Sequence, residues 1–291
     1  MMTYDEFKEK VVESVRDKLT SAELKTMKKN NDVSQDGITF YNAKENCTPF
    51  IHLDDLYKVY LATQSMDIVV NIVMEIAKTG GEIDVRTILG TWEEAMPRLA
   101  LRLINTKWNL EFLKDKPHKN FLDLSIVVYM DLLKKRDGVI SLVVDNGILQ
   151  FWGIDKVELF RAAYENLMKE EFSICDMEEV IQRLRGEEVK PTKYDGCNYV
   201  LTNEAMTFGA RGMLRKDLLM EFAEKENADL FVLPNSINDV ILTPKREGLT
   251  EEVLKDMINI IQVFNKPSAD SLSESLYYFD RKTEEISIYH I

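Results

Sequence analysis

The chain has few residues that bend or cross-link a backbone: 12 glycines, 7 prolines and 3 cysteines in 291 residues. So little Gly and Pro excludes a collagen-like, proline-rich or largely disordered polypeptide. Cys47, Cys175 and Cys197 are odd in number and far apart, with no Cys-x-x-Cys pair, so free buried thiols in a reducing compartment are expected rather than a disulfide framework or a zinc site. The three histidines, His52, His118 and His290, stand more than sixty residues apart, and no metal or other cofactor is expected. Basic residues are also in deficit. With Lys+Arg 37 against Asp+Glu 50 the net charge is −13, and phosphate backbones would be repelled, which argues against general nucleic-acid binding. The longest apolar run, Ile68 to Met74, is broken by Asn71 and falls far short of the roughly 20 residues of a membrane span. The opening Met1-Met2-Thr3-Tyr4-Asp5-Glu6 lacks the apolar core of a secretory signal, so a cytoplasmic location without membrane association is expected. Phosphate-loop, dinucleotide-binding and Gly-x-Ser-x-Gly motifs are all missing.

What is present is an ordinary globular composition, 45% hydrophobic and 30% charged. Thr3 and Glu6 have capping-box spacing ahead of a stripe of Phe7, Val11, Val12, Val15 and Leu19, which predicts an opening helix. Leu24–Lys29 and Ile38–Asn42 read as a hairpin whose turn ends at Asp36-Gly37, with a further strand near 49–53. Helices are predicted after Asp54-Asp55, over 66–78, over 92–104 with Pro97 as a kink or boundary, after Asp155 and Asp176, and over 216–226 and 250–264. Strands are predicted at 122–129, 139–144, 199–202, 208–214, 230–233, 240–242, 276–280 and 286–289. Hairpin-paired strands with interleaved helices indicate an α+β protein with largely antiparallel sheets. A charged, aperiodic stretch at 187–191 reads as a linker between an N-terminal α+β region, 1–190, and a C-terminal one, 191–291.

Candidate chemistry is sparse. The stretch Asn235-Ser236-Ile237-Asn238-Asp239 places Asn, Ser, Asn and Asp between two apolar strands, where side chains can converge on a ligand or can simply serve a turn. Arg211, between Gly209 and Gly212, is a candidate anion grip; the two glycines read as a bulge or a close strand crossing. Acidic neighbours such as Glu170-Glu171 point in different directions and read as solvated surface. From Glu221 to the end there are 14 acidic and 7 basic residues, an acidic excess that suggests one acidic face.

The ordered phrases Leu103-Ile104-Asn105, Phe121-Leu122-Asp123-Leu124-Ser125-Ile126-Val127, Trp152-Gly153-Ile154, Leu201-Thr202-Asn203, Leu233-Pro234-Asn235-Ser236-Ile237 and Ser275-Leu276-Tyr277 resemble a family of uncharacterised proteins of gut Firmicutes known only as a domain of unknown function. The segment from Val139 to Leu167 is also similar to part of a second uncharacterised Firmicutes family. The resemblance implies the cytoplasm of a Gram-positive anaerobe and supplies no activity. The resemblance implies that relatives tend to carry a His-Glu pair where this chain has Asn238-Asp239, and an amide cannot carry a proton near neutral pH.

Three readings follow. The leading one is a non-enzymatic protein-interaction or regulatory module whose acidic surface meets another protein. The second is an acidic decoy of mobile elements that occupies the DNA site of a defence protein. The third is an enzyme with its site at the Asn235–Asp239 loop and Arg211 nearby.

Overall fold

A computed structural model describes residues 2–40, 50–79, 89–135, 138–186, 188, 190, 197–247, 249–264 and 268–290. The chain divides into two compact units, 1–90 and 91–291.

In the first unit α1 (Tyr4–Arg16) starts from the capping box that the sequence predicts: the Thr3 side chain accepts from the Glu6 amide while the Glu6 carboxylate accepts from the Thr3 amide. Phe7, Val11, Val12 and Val15 are buried along one face. Each such side chain contributes about 1.5–3 kcal/mol by leaving water. The helix packs on the antiparallel sheet β1–β2–β3, made of Ala22–Lys28, Ser34–Phe40 and Phe50–His52. Asp36 and Gly37 lie inside β2, paired with Thr26 and Lys25, so the hairpin turns earlier than the dipeptide suggested, at a 3-10 turn over 30–32. Gly37 is required by close approach, because a Cβ there would stand 2.4 Å from the Phe50 ring on β3. Two further helices, α2 (Leu53–Thr63) and α3 (Met66–Thr79), close the core; α2 opens with Asp54 and Asp55 in its first turn, where the helix dipole favours them.

The second unit holds two sheets. In the first, β4 (Leu99–Asn105) and β6 (Leu124–Lys135) pair over seven residues, and on the other side of β6 lie β5 (His118–Phe121) and then β7 (Gly138–Val143). Helices α4 (Asn146–Trp152) and α5 (Lys156–Leu167) follow, each capped by an aspartate, Asp145 and Asp155, accepting from the third amide on. Leu159, Phe160, Ala163 and Leu167 of α5 are buried, and the helix lies on β4 and β6.

The second sheet has the order β13–β12–β10–β11–β9–β8, every neighbour antiparallel. Its strands are β8 (Phe172–Asp176), β9 (Tyr199–Asn203), β10 (Leu230–Leu233), β11 (Val240–Pro244), β12 (Tyr277–Asp280) and β13 (Glu285–Ile288). It is accompanied by α6 (Met177–Leu184), α7 (Lys216–Lys225) and α8 (Glu251–Phe264). The chain is thus α+β with antiparallel sheets.

Three expectations differ. The segment 92–104 is helical only to Ala95; a 3-10 turn carrying Pro97 follows, and Leu99 onward is β4 because β6 pairs with it along its length. The strand expected at 208–214 is a 3-10 helix, Gly209–Leu214. The division expected near 190 falls inside the second unit, where β8 and β9 pair across it, and most of the 187–191 linker lies outside the described residues.

Candidate functional site

Arg211 sits in the 3-10 helix that follows β9, 7% exposed and flanked by buried Gly209, Ala210, Gly212 and Met213. Its guanidinium grips Glu170 through two bonds, Nε to Oε2 at 2.7 Å and Nη2 to Oε1 at 2.5 Å, and Asn203 Nδ2 donates to the same Oε1 at 2.9 Å. Fork-to-fork pairing of this kind satisfies both charges with defined geometry. Glu170, expected on the solvated surface with Glu171, instead turns inward, because a buried guanidinium without a counter-charge costs several kcal/mol. Arg215 secures the approach to Glu170 by donating Nη1 to the carbonyls of Leu167, Met168 and Glu170.

Residues 203–208 are held in an unusual backbone path. Met206 and Phe208 have φ of 49° and 53°, the left-handed region that side chains avoid at a cost of about 1–3 kcal/mol. Tertiary contacts offset that cost. The Phe208 amide donates to Asn238 Oδ1 at 2.9 Å, and its ring lies 3.5 Å from the Arg102 guanidinium, which the Tyr129 ring covers on its other side at 3.9 Å. Arg102 is 7% exposed, with Nη2 donating to Ser141 Oγ at 2.6 Å and facing Asp131 at 3.6 Å, while its Nε has no partner among the described residues. Burial, with repulsion from Arg211 adding to it, pushes its pKa down to about 10.

The loop 235–239 does not reach Arg211 with its side chains; it clamps the same segment from the other side. Thr202 Oγ1 donates to the Asn238 carbonyl at 2.8 Å and the Ala210 amide to the Ile237 carbonyl at 3.3 Å. Gly209 is needed here, since a Cβ would lie 2.4 Å from Thr202 Oγ1 and 2.6 Å from the Asn238 carbonyl. Within the loop Asn235 Nδ2 donates to Asp239 Oδ2 at 2.9 Å, Ser236 Oγ donates to Asp239 Oδ1, and the Asn238 amide donates to Ser236 Oγ at 3.0 Å. These bonds are those of a self-supporting connection.

A half-open cleft of about 540 Å³ lies between the turn at 97–98, β4 and the end of α5, with Asp131, Glu170, Arg211 and Lys169 on its walls. A smaller, more apolar cavity of about 260 Å³ is lined by Cys175, Val180, Val200 and Met206. Cys175 is half-buried and Cys197 exposed, which corrects the expectation of buried thiols for both; Cys47 lies outside the described residues.

Sequence reasoning missed Arg102, Asp131 and Glu170. Arg102 interrupts an otherwise apolar strand between Leu101 and Leu103, and that break in the pattern was the available signal. Elsewhere, Asp123 binds three hydroxyls of one segment, Ser273 at 2.6 Å, Ser275 at 3.1 Å and Tyr277 at 2.5 Å, tying the turn before β6 to the start of β12. Burial, then Asp123, drives the Tyr277 hydroxyl pKa far up, so it remains a donor.

Among the described residues no helix is long and apolar enough to cross a membrane, and no three His, Cys, Asp or Glu side chains gather as metal ligands. No curated protein and no solved structure matches the chain. A family model does, over residues 4–281, and since that is nearly the whole length the protein belongs to the Family of unknown function (DUF5688).

Proposed function

We propose that the protein is a protein-interaction module whose docking element is strand β1. The observation that carries this reading is the exposure of six consecutive residues, Glu23 to Lys28, on a strand that pairs on one side with β2 and, among the described residues, with no other strand. Leu24 and Met27 are 43% and 48% exposed, on opposite faces of the strand. An unpaired edge of this length offers a row of backbone donors and acceptors to an extended segment of another protein, and the alternating side chains supply selectivity. Glu23 and Lys25 add one charge of each sign along the strand, and Lys28 is paired with Asp32 at 3.3 Å, so a partner segment with alternating charges complements them. This reading places recognition on the open strand rather than on the acidic stretch after Glu221.

The test compares affinity capture from a native cell extract by the wild-type chain, by a Leu24→Asp/Met27→Asp variant and by a Val157→Asp control at an exposed position of α5. A stoichiometric partner retained by wild type and control, lost by the β1 variant, and shielding β1 amides from hydrogen exchange is the expected outcome. A partner held equally by all three, or no change in β1 exchange, removes the reading.

A further inference from the structure

We infer that the partner received by β1 is a second copy of this chain, paired antiparallel across a two-fold axis at Thr26. The inference rests on the reading of β1 as the docking strand and names its occupant. Backbone directions come first. The Lys29 amide donates to the Val33 carbonyl at 2.8 Å, one step past the Lys28–Ser34 pair of the β1–β2 ladder. The Ala22 amide donates instead to the Leu19 carbonyl at 3.0 Å, and the Ala22 carbonyl accepts from Arg16 Nε at 2.8 Å. Residues of an antiparallel strand turn their N–H and C=O to its two sides alternately. Glu23, Lys25 and Met27 therefore serve β2, while Leu24, Thr26 and Lys28 present their backbone groups to the open edge.

These directions select one register. Residues opposed in an antiparallel pair share a backbone direction, so a two-fold axis sets one residue against its own copy. An axis at Leu24 opposes Thr26 to Ala22, whose backbone groups are already bonded. An axis at Lys25 puts like charges face to face. An axis at Met27 carries Leu24 past the end of the strand. With the axis at Thr26, the free groups of Leu24, Thr26 and Lys28 all find those of the second copy, and each opposed pair exchanges two hydrogen bonds. The side chains agree with that register. Leu24 lies opposite Lys28 of the second copy and Met27 opposite its Lys25, so a lysine stem covers each apolar side chain now 43% or 48% exposed. Exposed Glu23 falls opposite Lys29 of the second copy, whose ammonium faces the His52 ring at 3.3 Å. Two copies of net charge −13 repel, but at a Debye length of about 8 Å the charges near the axis dominate, and Glu23, Lys25 and Lys28 are of mixed sign. The product is one continuous sheet of order β3–β2–β1–β1–β2–β3.

The experiment is sedimentation equilibrium of the full chain over a dilution series, with hydrogen exchange read at β1. Thr26→Pro deletes the amide donor at the axis without removing a β1–β2 bond, because that amide points to the open edge. Thr26→Val loses the same hydroxyl, which donates to Asp36, but keeps the amide. Wild type and Thr26→Val are expected to reach twice the chain mass at micromolar concentration, with slowed exchange at Leu24, Thr26 and Lys28. Thr26→Pro is expected to stay monomeric with an unchanged circular dichroism spectrum. Glu23→Lys should weaken the dimer about ten-fold, and adding Lys29→Glu should restore it; this pair decides the matter if Thr26→Pro fails to fold. A monomeric wild type overturns the inference alone, since β1-dependent capture of a different protein would still uphold the docking reading. A dimer that survives in folded Thr26→Pro, no rescue by Lys29→Glu, or rescue by Lys25→Glu in its place overturns it as well.

Discussion

Six consecutive residues of β1 in the first unit, Glu23 to Lys28, lie open to solvent, whereas five consecutive residues of the second unit, Gly209 to Met213, are buried with an arginine among them. The exposed stretch is regular strand built on a hairpin, and its open edge can give its hydrogen bonds to water. The buried stretch has no ladder of its own, and its polar groups are met by Glu170 and by the carbonyls of Ile237 and Leu101. Regular structure can afford exposure, while irregular backbone inside a fold must find every partner by tertiary contact. Substitutions should therefore act on stability in the second segment and on partner binding in the first.

The contrast breaks most sharply at Glu170. Replacing it with alanine leaves Arg211 buried without its counter-charge, and a loss of about 3–5 kcal/mol is expected in chemical denaturation of the full chain. A loss below about 1 kcal/mol would mean that Arg211 swings out to water and that the segment is not over-determined. Gly209→Ala comes next. The new Cβ meets two backbone atoms, the Asn238 carbonyl oxygen and the Asn203 amide nitrogen, at 2.6 and 2.7 Å, and neither can rotate away; about 1–3 kcal/mol is expected by the same measurement. The same Gly→Ala change at Gly147, whose nearest neighbour is a side-chain oxygen at 3.2 Å, serves as the control.

The smallest effect belongs to the first unit and is read as a pH dependence. Burial, and then the charge of Lys29, lowers the His52 pKa, and the Lys29 ammonium lies 3.3 Å from its Nε2. The folded state therefore takes up the imidazole proton less readily than the unfolded chain does. Stability should be full above the unfolded value of about 6.5 and fall as the pH drops below it. His52→Gln should flatten that acid limb in denaturation curves recorded between neutral and mildly acidic pH; an unchanged limb would assign it to other groups.

The elements legible in the sequence are those whose cause is local. Thr3 with Glu6, Asp155 with Glu158 and the acidic turn of Asp54-Asp55 each start a helix by bonds spanning three residues or by position in the first turn, and each helix forms where the spacing says. The segment Leu99-Ala100-Leu101-Arg102-Leu103 is rich in helix formers, and its pairing with β6 overrides them; that pairing joins residues more than twenty positions apart and leaves no local mark. The candidate site divides in the same way. The Asn235–Asp239 loop was visible because turn residues are recognisable by type, and Arg211 because it stands between two glycines.

Glu170 lies 41 positions from Arg211 and looks like any other surface acid. Composition, helix starts, apolar stripes and the antiparallel α+β class were determined by the sequence alone, since they follow from charge, periodicity and hydrogen bonds between near neighbours. Which acid meets Arg211, why residue 209 must be glycine, and which strand edge is left open were decided only by the tertiary structure, because each depends on groups that are brought within bonding distance when the whole chain packs.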